Sequence, residues 1–204
     1  MGERLRAGIV GCGGVAQMMQ LPYLRELHDR YEIAALCDLD GATLEKVADY
    51  YGVKARHQDL AGLLGESLDV VLVLTSGNHT EAVLAALASG RHVFSEKPLA
   101  YTLRETEEVL AAERRAGKRL MVGMMKQYDP GYRRGVKAIG ELRDLRYVDA
   151  RTMHPDDGLY RMHHPVVKGG RIVVGERAVA DPTLRVRRRP SLPVMFYTGS
   201  SGLT

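Results

Sequence analysis

Gly11, Gly13 and Ala16 are the first residues along the chain whose types and spacing could do chemistry. They stand as G-x-G-x-x-A within Gly11-Cys12-Gly13-Gly14-Val15-Ala16. A glycine at the first position permits a tight turn. A glycine at the second lets backbone approach a pyrophosphate with no side chain in the way, and a small third residue lets a helix pack close to a sheet. Phosphate charge would then meet the free N–H groups and positive dipole end of a helix opening at Gly14 and Val15. Asp38 lies about 20 residues further on, where a carboxylate accepts hydrogen bonds from an adenosine ribose. A carboxylate there repels a 2′-phosphate, so the pair of features favours NAD over NADP. Asp40 suits a helix N-cap better than a second ribose ligand.

The elements around these residues supply the context that a glycine triplet needs. Arg6 to Val10 is a short apolar strand that runs into the glycines. Val15 to Leu27 has helical spacing, with Pro22 as a point of kinking. Glu32 to Cys37 reads as a second buried strand that delivers Asp38. Gly41 to Tyr51 reads as a helix, with Leu44, Val47, Ala48 and Tyr51 on one face. A brief strand at Val53 to Arg56 and a short helix at Leu60 to Leu64 follow. Asp69 to Leu74 is almost wholly apolar, as a strand covered on both faces should be.

Further on, a helix is predicted from Thr80 to Ser89, stopped by Gly90. A fifth strand follows at His92 to Ser95. Next comes a helix at Thr102 to Ala116, with Thr102 and Glu105 spaced as a capping box and Gly117 as its stop. Leu120 to Met124 makes a sixth strand. Another helix is predicted over Asp129 to Gly140, then a strand near Arg146 to Thr152. Strands alternating with helices give an α/β fold: a doubly wound, mostly parallel sheet. The expected division is a dinucleotide-binding domain over residues 1–125 and a short, incomplete α+β portion over 126–204.

Composition narrows the choice of function. The chain has 204 residues, 45% hydrophobic and 26% charged, which is ordinary for a globular protein. No apolar run is long enough to span a bilayer, and no signal-peptide pattern opens the chain, so the expectation is a cytoplasmic protein. The net charge of +4 does not mark a nucleic-acid surface. Acidic and basic residues nearly balance through residue 160, and the excess lies beyond it, in runs such as Arg185 and Arg187-Arg188-Arg189. Cys12 and Cys37 lack metal-site spacing and read as reduced, buried thiols; no metal site is expected.

Two later strings carry a resemblance to a known family. Thr75-Ser76-Gly77-Asn78-His79 follows the fourth strand, and Gly90-Arg91-His92-Val93-Phe94-Ser95-Glu96-Lys97-Pro98-Leu99-Ala100 spans the fifth. With the glycine loop, they resemble the Gfo/Idh/MocA oxidoreductases from about Leu5 to Tyr132. The resemblance implies that Lys97 contacts the nicotinamide ribose and substrate and assists proton transfer. It implies that Glu96 orients Lys97 or touches the cofactor, and that Thr75, Asn78 and His79 lie near ribose and pyrophosphate. An ammonium beside a carbonyl or hydroxyl can polarise it and share its proton. Read without its string, Lys97 is a solvated lysine partnered by Glu96; His79, at a helix start, reads as a capping or packing residue.

The pattern also breaks. Family members have a larger second domain that contributes an aspartate and a histidine from a G-x-H-x-x-D-like motif. Gly169-Gly170-Arg171-Ile172 begins as that segment would and then departs, and Gln127 stands where relatives have an arginine. The expectation is a truncated or atypical remnant, with His154, Tyr160, His163 and His164 as the residues available to replace the missing acid–base pair. Three readings stay open. The first is an NAD-dependent dehydrogenase or reductase acting on CH–OH groups of a sugar, cyclitol or related polyol or ketone, with copies pairing through an exposed sheet. The second is a dinucleotide-binding module without turnover. The third is a polyanion binder using the arginine tail.

Overall fold

The computed structural model describes residues 3–144, residues 146, 147 and 149, and the short stretch 166–169. Six parallel strands form one sheet: β1 (Leu5–Val10), β2 (Tyr31–Cys37), β3 (Ala55–His57), β4 (Val70–Val73), β5 (His92–Ser95) and β6 (Leu120–Val122). Their spatial order is β3-β2-β1-β4-β5-β6. The chain therefore winds outward from β1 in one direction, returns, and winds outward from β4 in the other. The reversal lies between β1 and β4, which pair from Ala7↔Val70 to Val10↔Val73. In open sheets of this kind a crevice opens at the carboxyl ends of the strands at that point.

Strand alternation gives the sheet two cores. Ala7 and Ile9 of β1 join Leu36 of β2 under one layer, while Val10, Ala35 and Cys37 join Val71 and Val73 of β4 under the other. The first layer is built by α1 (Leu21–Glu26) and α2 (Gly41–Tyr51), through Leu21, Leu24, Leu44 and Val47. The second is built by α3 (Leu60–Leu64), α4 (Thr80–Ala88) and α5 (Leu103–Ala116), through Leu63, Val83, Leu87 and Val109. Leu36 is fully buried, so Leu36→Ala should cost about 2–5 kcal/mol.

Helix limits follow the local chemistry. Asp40 caps α2, accepting from the Ala42 N–H at 3.0 Å, and also takes the Thr43 hydroxyl at 3.1 Å. Thr102 and Glu105 form the capping box on α5: the hydroxyl accepts from the Glu105 N–H at 3.1 Å, and the Glu105 carboxylate accepts from the Thr102 N–H at 2.9 Å. Gly117 ends α5 with φ +60°, a backbone setting that suits glycine. The segment read as one helix from Val15 to Leu27 differs in kind. It opens with a turn of π-helix, Ala16–Gln20, that passes into α1. Pro22 stands directly after the π turn, at the start of α1, and has no N–H to give to a carbonyl of that preceding turn.

After β6 come a 3₁₀ turn, Met125–Tyr128, and α6 (Pro130–Gly140), which is capped by Asp129 and buries none of its residues. The strand expected near Arg146 to Thr152 falls largely outside the described residues. No helix among the described residues is long and apolar enough to cross a membrane.

Glu105 also ties two elements together. It accepts from the Asn78 side-chain amide at 2.6 Å, from the Tyr101 N–H at 3.1 Å and from the Thr102 hydroxyl at 2.9 Å. Desolvation pulls its carboxyl upward, but the bonds from Asn78, Thr102 and Tyr101 outweigh it and hold the group below the usual glutamate range. A lowered folded-state value means stability that is present above the ordinary glutamate range and lost as pH falls through the lowered one. Glu105→Gln should therefore flatten the acid limb of a thermal-stability profile. Thr102→Ala, which removes the cap hydroxyl, should cost about 1 kcal/mol in urea unfolding near neutral pH.

Candidate active site

The crevice is built from the turn after β1. Gly11 leaves the strand at φ +94°, and its N–H is held by the Cys37 carbonyl at 2.8 Å. A Cβ on Gly11 would stand 2.8 Å from the Thr75 backbone nitrogen. Only glycine lets the loop run this close to the end of β4. At Gly13 the situation is reversed: a Cβ would meet nothing within 4 Å, so the loop presents bare backbone to open space. The helical ladder is joined by the bond from the Gln17 N–H to the Gly13 carbonyl at 3.0 Å. The N–H groups of Gly14, Val15 and Ala16 precede it and belong to the unsatisfied first turn. Ala16 is fully buried, which brings this turn down onto the sheet. Open space, bare N–H groups and a helix opening make a cradle that fits a pyrophosphate.

Asp38 closes one side of the cradle. One carboxylate oxygen accepts from the Cys12 N–H at 2.7 Å, and the other accepts from the Asp40 N–H at 2.8 Å. The half-buried carboxylate thus fixes the phosphate loop to the end of β2. Two backbone bonds use about half of a carboxylate's acceptor sites, leaving the others for ribose hydroxyls. The two thiols beneath are inert. Burial, with the Asp38 charge behind it, pushes the Cys12 thiol up to about 12 and the Cys37 thiol up to about 11. Both are free and buried.

The other side is the turn after β5. The Glu96 N–H continues the ladder to the Val73 carbonyl at 2.9 Å. Its carboxylate accepts the Lys97 backbone N–H at 3.2 Å and the Gln20 amide at 3.3 Å. Glu96 is therefore not the ion-pair partner of the Lys97 side chain. Lys97 is exposed, and among the described residues its ammonium has no bonded partner. Thr75 is half-buried at the end of β4, between the glycine loop and this turn.

Asn78 and His79 each have protein partners beside the crevice. The Asn78 carbonyl accepts the Thr80 N–H at 2.9 Å while its amide serves Glu105, so it braces the start of α4 against α5. His79 is 1% exposed, and both ring nitrogens lie against backbone carbonyls. Gln17 and Gln20 are site residues that the sequence reading passed over. The Gln17 amide donates to the Cys12 carbonyl at 2.7 Å and to the Val167 carbonyl at 3.0 Å, and it accepts the Val167 N–H at 2.7 Å. Their signal was two glutamines, three apart, in an otherwise apolar helix opening. His154, Tyr160, His163 and His164 lie outside the described residues.

Comparison with known proteins agrees with this geometry. Residues 5–124 match the Gfo/Idh/MocA family model, described as an oxidoreductase family with an NAD-binding Rossmann fold. The chain belongs to that family. Inositol 2-dehydrogenase from Paracoccus denitrificans is 37% identical over 142 residues, covering 68% of this chain and 42% of that protein. Inositol 2-dehydrogenase from Salmonella typhimurium is 35% identical over 135 residues, covering 63% of this chain and 39% of the relative. The chain thus spans about two-fifths of the length of these relatives.

Among solved structures, the WlbA dehydrogenase from Bordetella pertussis, in complex with NADH and UDP-GlcNAcA, superposes with TM-score 0.63 at 27% identity, over 68% of this chain and 42% of that one. An NAD-binding oxidoreductase from Klebsiella pneumoniae gives TM-score 0.60 at 30% identity, over 68% and 39%. The matched segment is the family's NAD-binding Rossmann domain, and it contains the whole cradle from Gly11 to Lys97.

Two substitutions test the cradle without cofactor. Gly11→Ala should destabilise the fold by about 1–3 kcal/mol, since its Cβ meets backbone and its φ is unfavourable. Asp38→Asn keeps the shape but offers only one accepting oxygen. It should cost about 1–3 kcal/mol, with faster hydrogen exchange at the Cys12 or Asp40 amide.

Proposed function

We propose that the chain binds NAD(H) across the β1–β4 crevice and serves NAD-dependent oxidoreduction of a cyclitol, sugar or related polyol. The observation that carries this reading is the arrangement on one rim: an open backbone cradle at Gly13, a loop-anchoring carboxylate at Asp38, and a Lys97 ammonium with no bonded partner among the described residues. Gly11, Gly13, Gly14, Val15 and Ala16 hold the pyrophosphate. Asp38 accepts the adenosine ribose hydroxyls and disfavours a 2′-phosphate, so NAD is preferred to NADP. Thr75 and Glu96 line the nicotinamide half.

The bound nicotinamide supplies hydride exchange at its C4 carbon. The protein's share is orientation and proton handling. Glu96 fixes the backbone from which Lys97 projects, by accepting its N–H. Lys97 takes a proton from a substrate hydroxyl in the oxidative direction and returns one to a carbonyl oxygen in the reductive direction. The inositol 2-dehydrogenase relatives support a cyclitol, and the uridine-sugar complex of the Bordetella protein keeps sugars within the class.

Titration of the purified chain with NADH and with NADPH, followed by nicotinamide fluorescence, tests the reading. NADH should bind more tightly than NADPH by at least about tenfold, and Asp38→Ala should erase most of that preference. Lys97→Ala should leave adenosine-side binding in place and abolish turnover on any inositol that the wild type oxidises. Binding without turnover would support a non-catalytic dinucleotide module instead. Failure to bind either cofactor would overturn both.

A further inference from the structure

His79 is a deeply buried polar side chain beside the crevice whose two ring nitrogens both meet backbone carbonyls. It is 1% exposed, although it stands at the N-cap of α4, a position where side chains usually meet solvent. Its ring bridges two loops. Nδ1 lies 2.8 Å from the Pro98 carbonyl oxygen, and Nε2 lies 2.7 Å from the Thr75 carbonyl oxygen. Thr75 ends β4 beside the glycine loop. Pro98 directly follows Lys97.

Both partners are acceptors only, which constrains the ring. A neutral imidazole carries one N–H and would set a nitrogen lone pair against a carbonyl oxygen at contact distance. A ring protonated on both nitrogens satisfies both carbonyls. The separations fit the 2.7–2.9 Å typical of charge-assisted N–H to oxygen bonds. Burial and the positive end of the α4 dipole oppose a cation here. Two charge-assisted bonds oppose that cost. Among the described residues no carboxylate pairs with the ring, so the carbonyls alone hold it.

We propose that His79 is a positioning residue, a doubly donating imidazole that clamps the Thr75 and Pro98 carbonyls and thereby fixes the Lys97 turn against the end of β4. Before Lys97, the turn after β5 is held by the Glu96 N–H on the Val73 carbonyl and by the Gln20 amide on the Glu96 carboxylate. Glu96 holds the Lys97 N–H on one side, and the His79 bond to Pro98 is the corresponding hold on the other. Without it, the ammonium would sample a wider arc than a hydrogen bond to a reacting oxygen permits. The functional part of this inference rests on the proposal that Lys97 works at the nicotinamide end.

The test has a cofactor-free arm and a binding arm. In ¹⁵N-resolved NMR of the full chain in mildly acidic buffer, His79 should show two slowly exchanging ring N–H signals. In His79→Ala the amides of Lys97 and Leu99 should broaden or become mobile, while those of β1, β2 and β4 stay in place. A single ring N–H, or an unchanged Lys97 turn, would overturn the clamp whether or not cofactor binds.

In the binding arm, His79→Ala should weaken NADH by about tenfold and 5′-AMP by less than about twofold. His79→Asn, which keeps a donor near the Pro98 carbonyl, should recover part of the loss. In a Lys97→Ala background the His79→Ala effect on NADH should largely vanish, because the two residues act as one unit. Equal losses for NADH and 5′-AMP, or additive losses in the double variant, would show a general structural role and overturn the proposal. If the wild type binds no NADH, the functional proposal fails, while the NMR arm still decides the clamp.

Discussion

Two hydrogen bonds accepted by one carboxylate tie the glycine-loop side of the rim together. Asp38 stands at the end of β2 and accepts the Cys12 N–H at 2.7 Å and the Asp40 N–H at 2.8 Å. The first bond ties the glycine loop to the end of β2. The second sets the approach to α2, whose N-cap is Asp40 itself. The glycine loop and the approach to α2 are therefore aligned by a single side chain. The arrangement works because the carboxylate is only half-buried. It meets backbone N–H groups on its inner side and keeps acceptor capacity toward the crevice. On the proposed reading the ribose carboxylate and the loop anchor are the same group.

Much of this was legible in the sequence because the signals were local. The alternation of apolar runs and helical spacing placed all six strands, and α2, α3 and β5 have the expected limits. The capping box of Thr102 and Glu105 and the stop at Gly117 formed as their residue types required. Gly11 and Asp38 could be placed because their chemistry depends on a turn and a strand end, both of which are short-range features.

What the sequence did not show depends on contacts across the fold. Pro22 signalled an irregularity in the segment, but not that it would take the form of a π turn at Ala16–Gln20. Gln17 and Gln20 gain their roles only when the helix opening meets the Cys12 carbonyl and Glu96. Asn78 and His79 sit inside a string that points toward a cofactor, yet their side chains are engaged by Glu105 and by two carbonyls. Burial of His79 could not be read from a polar residue at a helix start. Motif membership did not show these bracing bonds, which depend on partners distant in the chain.

The central claim is that Asp38 holds the loop and receives the ribose at the same time. A crystal structure of the chain grown with NADH tests it directly. Adenosine ribose hydroxyl oxygens should lie within hydrogen-bond distance of the Asp38 carboxylate, with the Cys12 N–H bond still made. A bound ribose on other residues, or an Asp38 that leaves Cys12 to reach it, would contradict the account.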